Sequence, residues 1–127
     1  MIFEFIDGTV VRTEEVCCYM QKENKIDMIM KSGVKAFVGL ESCCAAIIEF
    51  GRIVSELRPS IEELGNGLFL LRDMIINVNE IAALGKEKNT IFIVFKNGSS
   101  LQSNYEENNT VDMEKDFDEL KRWLRKY

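Results

Sequence analysis

Two pairs of adjacent cysteines, Cys17-Cys18 and Cys43-Cys44, are the residues of this 127-residue chain best suited to chemistry. Four thiolates are enough for a tetrahedral zinc site. The spacing argues against one. Zinc sites built from cysteine pairs usually leave two residues between the members of a pair, and neighbours on a strand point to opposite faces. The four are expected to pack as small hydrophobes in a reducing compartment. A second cluster is acidic: Asp112, Glu114, Asp116, Asp118 and Glu119 crowd the start of the last predicted helix. The dipole of a helix favours acidic groups there without any ligand, so a solvated helix face is the plainer reading than a cation site. Histidine is absent altogether. That removes the commonest general base and metal ligand, and every Ser-His or Cys-His nucleophile. The glycines fall in turns, and none forms a phosphate-binding loop. The chain is therefore expected to be no enzyme, with no cofactor and no metal.

The net charge of -5 disfavours tight nucleic-acid binding, which needs a surplus of cations facing phosphates. Residues 1–64 carry a net -4 and residues 65–127 a net -1, so neither half is a basic platform. A cluster of Lys121, Arg122, Arg125 and Lys126 at the C-terminus suits the negative end of a helix. The longest wholly apolar run, Cys43 to Ile48, is far too short to cross a bilayer. Residues 2–6 are interrupted by Glu4 and lack a basic leader. No membrane association is expected, and the expected compartment is cytoplasmic.

The strongest pattern is internal. Sliding Glu15 onto Glu80 without gaps superposes Asn24 on Asn89, Ile26 on Ile91, Lys31 on Lys96 and Gly33 on Gly98; from Glu15 to Gly33, five of nineteen pairs are identical. The turn signals, the alternation and the helix start recur in the same order. This predicts an α+β fold made by tandem duplication. Each unit would have four to five antiparallel strands followed by one C-terminal helix, with the two copies packed together. The first copy spans residues 1–64 and the second 65–127, in one pseudo-symmetric domain.

In the first copy, Phe3 to Ile6 runs into Asp7-Gly8, a two-residue type I′ hairpin signal. Thr9 to Arg12, Glu15 to Gln21, Ile26 to Lys31 and Val34 to Leu40 follow as strands. Leu68 to Leu71, Met74 to Val78, Glu80 to Gly85, Thr90 to Lys96 and Ser99 to Tyr105 repeat them. Ser42 is placed to cap the first helix, whose apolar positions are Ala46, Ile47, Phe50, Ile53, Val54 and Leu57, with Pro59 as its stop. Asn109 or Thr110 caps the second, with Met113, Phe117, Leu120 and Leu124 as its stripe. Gly65-Asn66-Gly67 is the expected hinge, after a helical turn at Ser60 to Leu64.

Ile29, Phe92 and Val94 occupy outward positions on the central strands, where a one-sided sheet would carry polar residues. They are the candidate interaction surface, covered by the other copy or by another subunit, in which case a homodimer results. The strand aromatics Tyr19, Phe37, Phe92, Phe95 and Tyr105 are expected mostly in the core. The function expected first is a non-catalytic binding protein, a protein–protein interaction or inhibitor/accessory module with a protein partner. The topology resembles the tandem repeats of PUR and Whirly proteins. That resemblance implies a single-stranded nucleic-acid-binding alternative, on a sheet carrying Lys22, Lys25, Lys31, Lys86, Lys88 and Lys96. A third reading is a small-ligand binder at the repeat interface.

Overall fold

The structure is a computed structural model that describes residues 1–58 and 67–127. It is α+β, with ten strands in three antiparallel sheets and a C-terminal helix. The order is β1 (Ile2–Glu4), β2 (Val10–Arg12), β3 (Val16–Lys22), β4 (Lys25–Met30), β5 (Lys35–Gly39) and α1 (Cys43–Leu57). Then come β6 (Leu68–Leu71), β7 (Met74–Asn77), β8 (Ile81–Glu87), β9 (Thr90–Phe95), β10 (Ser100–Asn104) and α2 (Thr110–Lys126). The predicted stop at Pro59, the turn at Ser60 to Leu64 and the hinge residues Gly65 and Asn66 lie outside the described residues.

The strands are not shared equally between the sheets. The hairpin β1-β2 stands alone, β8, β9 and β10 form a three-stranded sheet, and the large sheet runs β5-β4-β3-β7-β6. The hairpin β6-β7 therefore crosses to β3, pairing Cys18 with Ile76, Tyr19 with Ile75 and Met20 with Met74. The large sheet has a core on each face. Ile26, Met28, Tyr19, Val38 and Ile75 pack with Phe3 and Phe5 of the first hairpin and with Ile53 and Leu57 of α1. Cys18, Ile29, Leu71 and Ile76 point the other way, against Ile91, Ile93 and Phe95 of the small sheet and Met113, Leu120 and Trp123 of α2. Each side chain buried this way contributes roughly 1.5–3 kcal/mol against its exposure.

Local devices explain the elements. The oxygen of Ser42 accepts from the Ala45 amide at 3.1 Å, so the predicted cap closes the first turn of α1. Arg58, at φ 48°, ends that helix in a left-handed turn whose N–H donates to the Val54 carbonyl. At α2, Asn109 makes no side-chain cap bond, and a 3₁₀ turn over Glu107–Asn109 leads into the helix instead. Asp7-Gly8 does not form the two-residue turn expected of it. Gly8 donates to the Phe5 carbonyl and Phe5 donates to that of Thr9, which makes a three-residue loop with Gly8 at φ 92°. Gly33 and Gly98 do the same at φ 90°. Two-residue turns are found instead at Arg72-Asp73, which joins the paired residues Leu71 and Met74, and at Glu23-Asn24 and Lys88-Asn89.

A spacing of 65 residues recurs in the backbone. A 3₁₀ turn covers Thr13–Glu15 and another Val78–Glu80. A bulge separates Val16 from Cys18 and another Ile81 from Ala83. Lys31 donates to the Glu15 carbonyl and Lys96 to that of Glu80, both at 2.8 Å. Leu40 donates to the Asn24 carbonyl and Tyr105 to that of Asn89, again both at 2.8 Å. The amide side chains of Asn24 and Asn89 return the bond to the carbonyls of Leu40 and Tyr105.

Candidate interaction surface

The bulge in β3 changes the reading of the first cysteine pair. A bulge lets two successive residues face the same side. Cys17 and Cys18 thus both enter the core shared with α2, while Val16 and Tyr19 enter the other. Burial pushes both thiols up, and Glu80 near Cys17 adds to it. Cys43 and Cys44 differ from the expectation of burial: they are exposed on the first turn of α1. A thiol-titrating disulfide reagent is therefore expected to modify two cysteines rapidly in the native protein, Cys43 and Cys44. The remaining two should react only on unfolding. Four fast thiols, counted by mass spectrometry, would contradict this packing.

The acidic group of α2 is dispersed among partners. Asp116 accepts from the Tyr105 hydroxyl at 2.6 Å, and Glu114 pairs with Lys86. Asp118 meets Lys121 at 3.7 Å, and Glu119 meets Arg122 at 3.5 Å. Among the described residues, no three His, Cys, Asp or Glu side chains converge as metal ligands would. Burial pushes the Tyr105 phenol up, and Asp116 beside it adds to the shift. Above the ring of Tyr105, at 4.4 Å, lies the guanidinium of Arg72, which also donates to the Asn104 carbonyl and to Ser103 Oγ. Arg72 borders an open cleft of about 430 Å³ between the β6-β7 turn, β3, β4 and β10. Through Nη1, Arg72 ties the β6-β7 turn to β10 at this cleft.

The chain matches no protein-family model, no curated protein and no solved structure.

The three predicted surface residues are not brought together. Ile29 is buried in the core against the small sheet, so the second face of β4 is covered there by the chain itself. Phe92 and Val94 lie on the opposite, open face of the small sheet, where Phe92 is half-buried and Val94 is 39% exposed. Register places Ala83 and Gly85 of β8 beside them on one side, and Ser100 and Gln102 of β10 on the other. The patch is thus two apolar side chains whose cross-strand partners are all uncharged and none of them a large apolar residue.

Two further apolar features were not predicted. Ile47 and Ile48 point to solvent from α1, Ile48 at 74% exposure, while the predicted partners Ala46, Ile53 and Leu57 are buried. Consecutive residues on a helix are about 100° apart, so Ala46, Ile47 and Ile48 are unable to share one face. That was the available signal. Phe37, expected in the core, is exposed on β5 with the Lys25 ammonium 4.8 Å from its ring. The six lysines of the nucleic-acid reading do not form one lattice. Lys25 is over Phe37, Lys31 is 3.9 Å from Glu80, and Lys86 turns toward α2 to meet Glu114 and the Phe117 ring. No helix among the described residues is long and apolar enough to cross a membrane.

Proposed function

We propose that this chain is a non-catalytic, cytoplasmic protein–protein interaction module, built from a duplicated unit of five strands and a helix. The duplication is supported by the 65-residue recurrence of the 3₁₀ turns, bulges and hairpin hydrogen bonds. The observation that carries the interaction reading is the open face of the small sheet, where Phe92 and Val94 rise from a floor of Ala83, Gly85, Ser100 and Gln102. A sheet face of this kind offers an apolar centre with a polar rim, which is how specific protein interfaces are composed. The acidic balance and the scattered lysines make a protein a better partner than a polynucleotide.

Val94→Asp tests the reading. The residue is outward, so the expected loss of stability is small, within about 0.5 kcal/mol. In affinity capture from an extract of the source cells, a partner retained in stoichiometric amount by the parent should be lost by the variant. Equal capture by both proteins would sink this face as the interface. Fluorescence anisotropy with a labelled single-stranded oligonucleotide at low salt separates the alternative: binding there would favour the PUR- and Whirly-like reading.

A further inference from the structure

The large sheet owes two of its strands to a hairpin from the other half of the chain: β7 lies along β3, with β6 outside it. If the two halves were related by a two-fold axis, β2 would lie along β8 in the same way. It does not. Among the described residues, β2 pairs only with β1, and β8 only with β9. By the equivalence of the two halves, β2 is left as a donor without its edge and β8 as an edge without its donor.

The two are matched in detail. Gln21 donates to the Asp73 carbonyl, so in β3 the groups of Gln21 and Tyr19 face β7. Sixty-five residues on, Lys86 and Leu84 hold those positions in β8. In the first hairpin, Phe5 donates to Thr9 and Thr13 donates to Met1, so Thr9, Val11 and Thr13 face β1. The N–H and C=O of Val10 therefore point away from β1, as those of Ile75 point to β3. Burial shows the same asymmetry. Ile75 is 0% exposed in its seam, whereas its counterpart Val10 is 52% exposed. Cys17 and Cys18 are buried, whereas Ala82 and Ala83 are exposed.

We infer that β2 of one copy adds to β8 of a second copy, repeating between chains the seam that β7 and β3 make within one. The register is set by the internal seam: Val11 opposite Ala83, Val10 opposite Leu84, and Thr9 opposite Gly85. The contact is head-to-tail, and two copies close it when each gives its hairpin to the other. An exposed edge presents unpaired N–H and C=O groups as a template for another strand, and strand addition is one way to satisfy them. The inference rests on the equivalence of the two halves, not on the Phe92–Val94 face.

Val10→Pro and Lys86→Pro each delete an outward N–H and no ladder bond within the chain, so both hairpin and sheet should persist. Light scattering after size exclusion is expected to give an assembly of two or more copies for the parent and a monomer for each variant. A mixture of the two variants should give a heterodimer, because one intact hairpin and one intact edge remain between them. Val94→Asp, on the face, should leave the assembly intact, which separates this inference from the interaction reading. Hydrogen exchange of the parent needs no variant: the Val10, Leu84 and Lys86 amides should be protected when concentrated and exchange on dilution. A monomeric parent, a mixture that stays monomeric with both variants folded, or protection that ignores dilution would overturn the inference. The last result would mean that the hairpin closes on its own chain.

Discussion

Ile75→Ala and Ile76→Ala are each expected to destabilise the chain by about 3 kcal/mol, within the range for emptying a buried isoleucine site. Each should do so for both cores at once. The reason is the position of β7. It lies between β3 and β6 in the large sheet, and its two isoleucines, both fully buried, point to opposite faces. Ile75 enters the core lined by α1, and Ile76 enters the core lined by α2. A cavity on either side loosens the strand that the other side packs against.

The chain carries its own probe. Its single tryptophan, Trp123, sits in the α2 core, edge-on to Phe69 at 5.5 Å between ring centroids. Urea unfolding followed by Trp123 fluorescence should coincide with unfolding followed by far-ultraviolet circular dichroism, in the parent and in both variants. The decisive case is Ile75→Ala, whose cavity opens on the face away from Trp123. Its fluorescence midpoint should fall as far as that of Ile76→Ala, with the slope against denaturant unchanged. Protein concentration must be held fixed across the series, because any self-association adds to apparent stability. If Ile75→Ala moved the circular dichroism midpoint and left the fluorescence midpoint in place, the cores would be separate folding units and β7 would not couple them.

What the sequence disclosed and what it hid divide along the range of the forces involved. Local signals were legible. The alternation of Ile91, Ile93 and Phe95 placed β9 with its correct inner row, and Ser42 marked the start of α1. Ile29 was rightly turned away from Ile26 and Met28, since alternation alone settles that. The transfer of β6-β7 to β3 was not legible. Met74-Ile75-Ile76 is apolar at every position, which says that both faces are buried but not which edge the strand joins. The bulge at Cys17 was hidden for a related reason: it exists only in the register between β3 and β4, and it overrides the strict alternation from which the cysteine geometry was argued. For the candidate surface, the type of residue was legible at Phe92 and Val94, but exposure was not. Whether an outward apolar residue is covered depends on where the other half of the chain lies, and that covered Ile29 while leaving Val94 open.

The second large effect is expected at Glu49. This carboxylate is 4% exposed on the inner side of α1, and it accepts from the Ile6 amide and from Arg52 Nε, both at 2.7 Å. Arg52 in turn donates through Nη2 to the Glu4 carbonyl at 2.6 Å and lies over the Phe3 ring at 4.6 Å. The pair thus fastens the hairpin β1-β2 to α1, at the place where Phe3 and Phe5 enter the core. Removing one member of a fully buried pair costs about 3–5 kcal/mol, because the other charge is left dry. Here the Arg52 side chain is 39% exposed, so water screens part of the loss, and Arg52→Ala should cost nearer ~2 kcal/mol. Glu49→Gln should cost less, since an amide oxygen still serves the Ile6 N–H and no charge is stranded.

The pH dependence distinguishes this account from simple packing loss. Burial raises the Glu49 carboxyl, but the Arg52 hydrogen bond, the Ile6 amide and the Arg52 charge outweigh it, holding the group below its ordinary 4.5. A carboxylate lowered on folding contributes stability that is fully present above its unfolded value and is lost as pH falls through the folded one. The parent should therefore lose stability as the pH is taken from about 4.5 downward. Glu49→Gln should lose less over the same range, having no proton to take up at that site. Arg52→Ala reverses the balance. With burial no longer opposed by the guanidinium, the Glu49 carboxyl should rise, and the variant should gain relative to the parent on mild acidification. Denaturation midpoints of the three proteins, measured from neutral pH down to the acid limb, check this directly. Parallel curves would mean that Glu49 is held as a neutral acid or is solvated, and that the hairpin is attached to α1 by Phe3 and Phe5 alone.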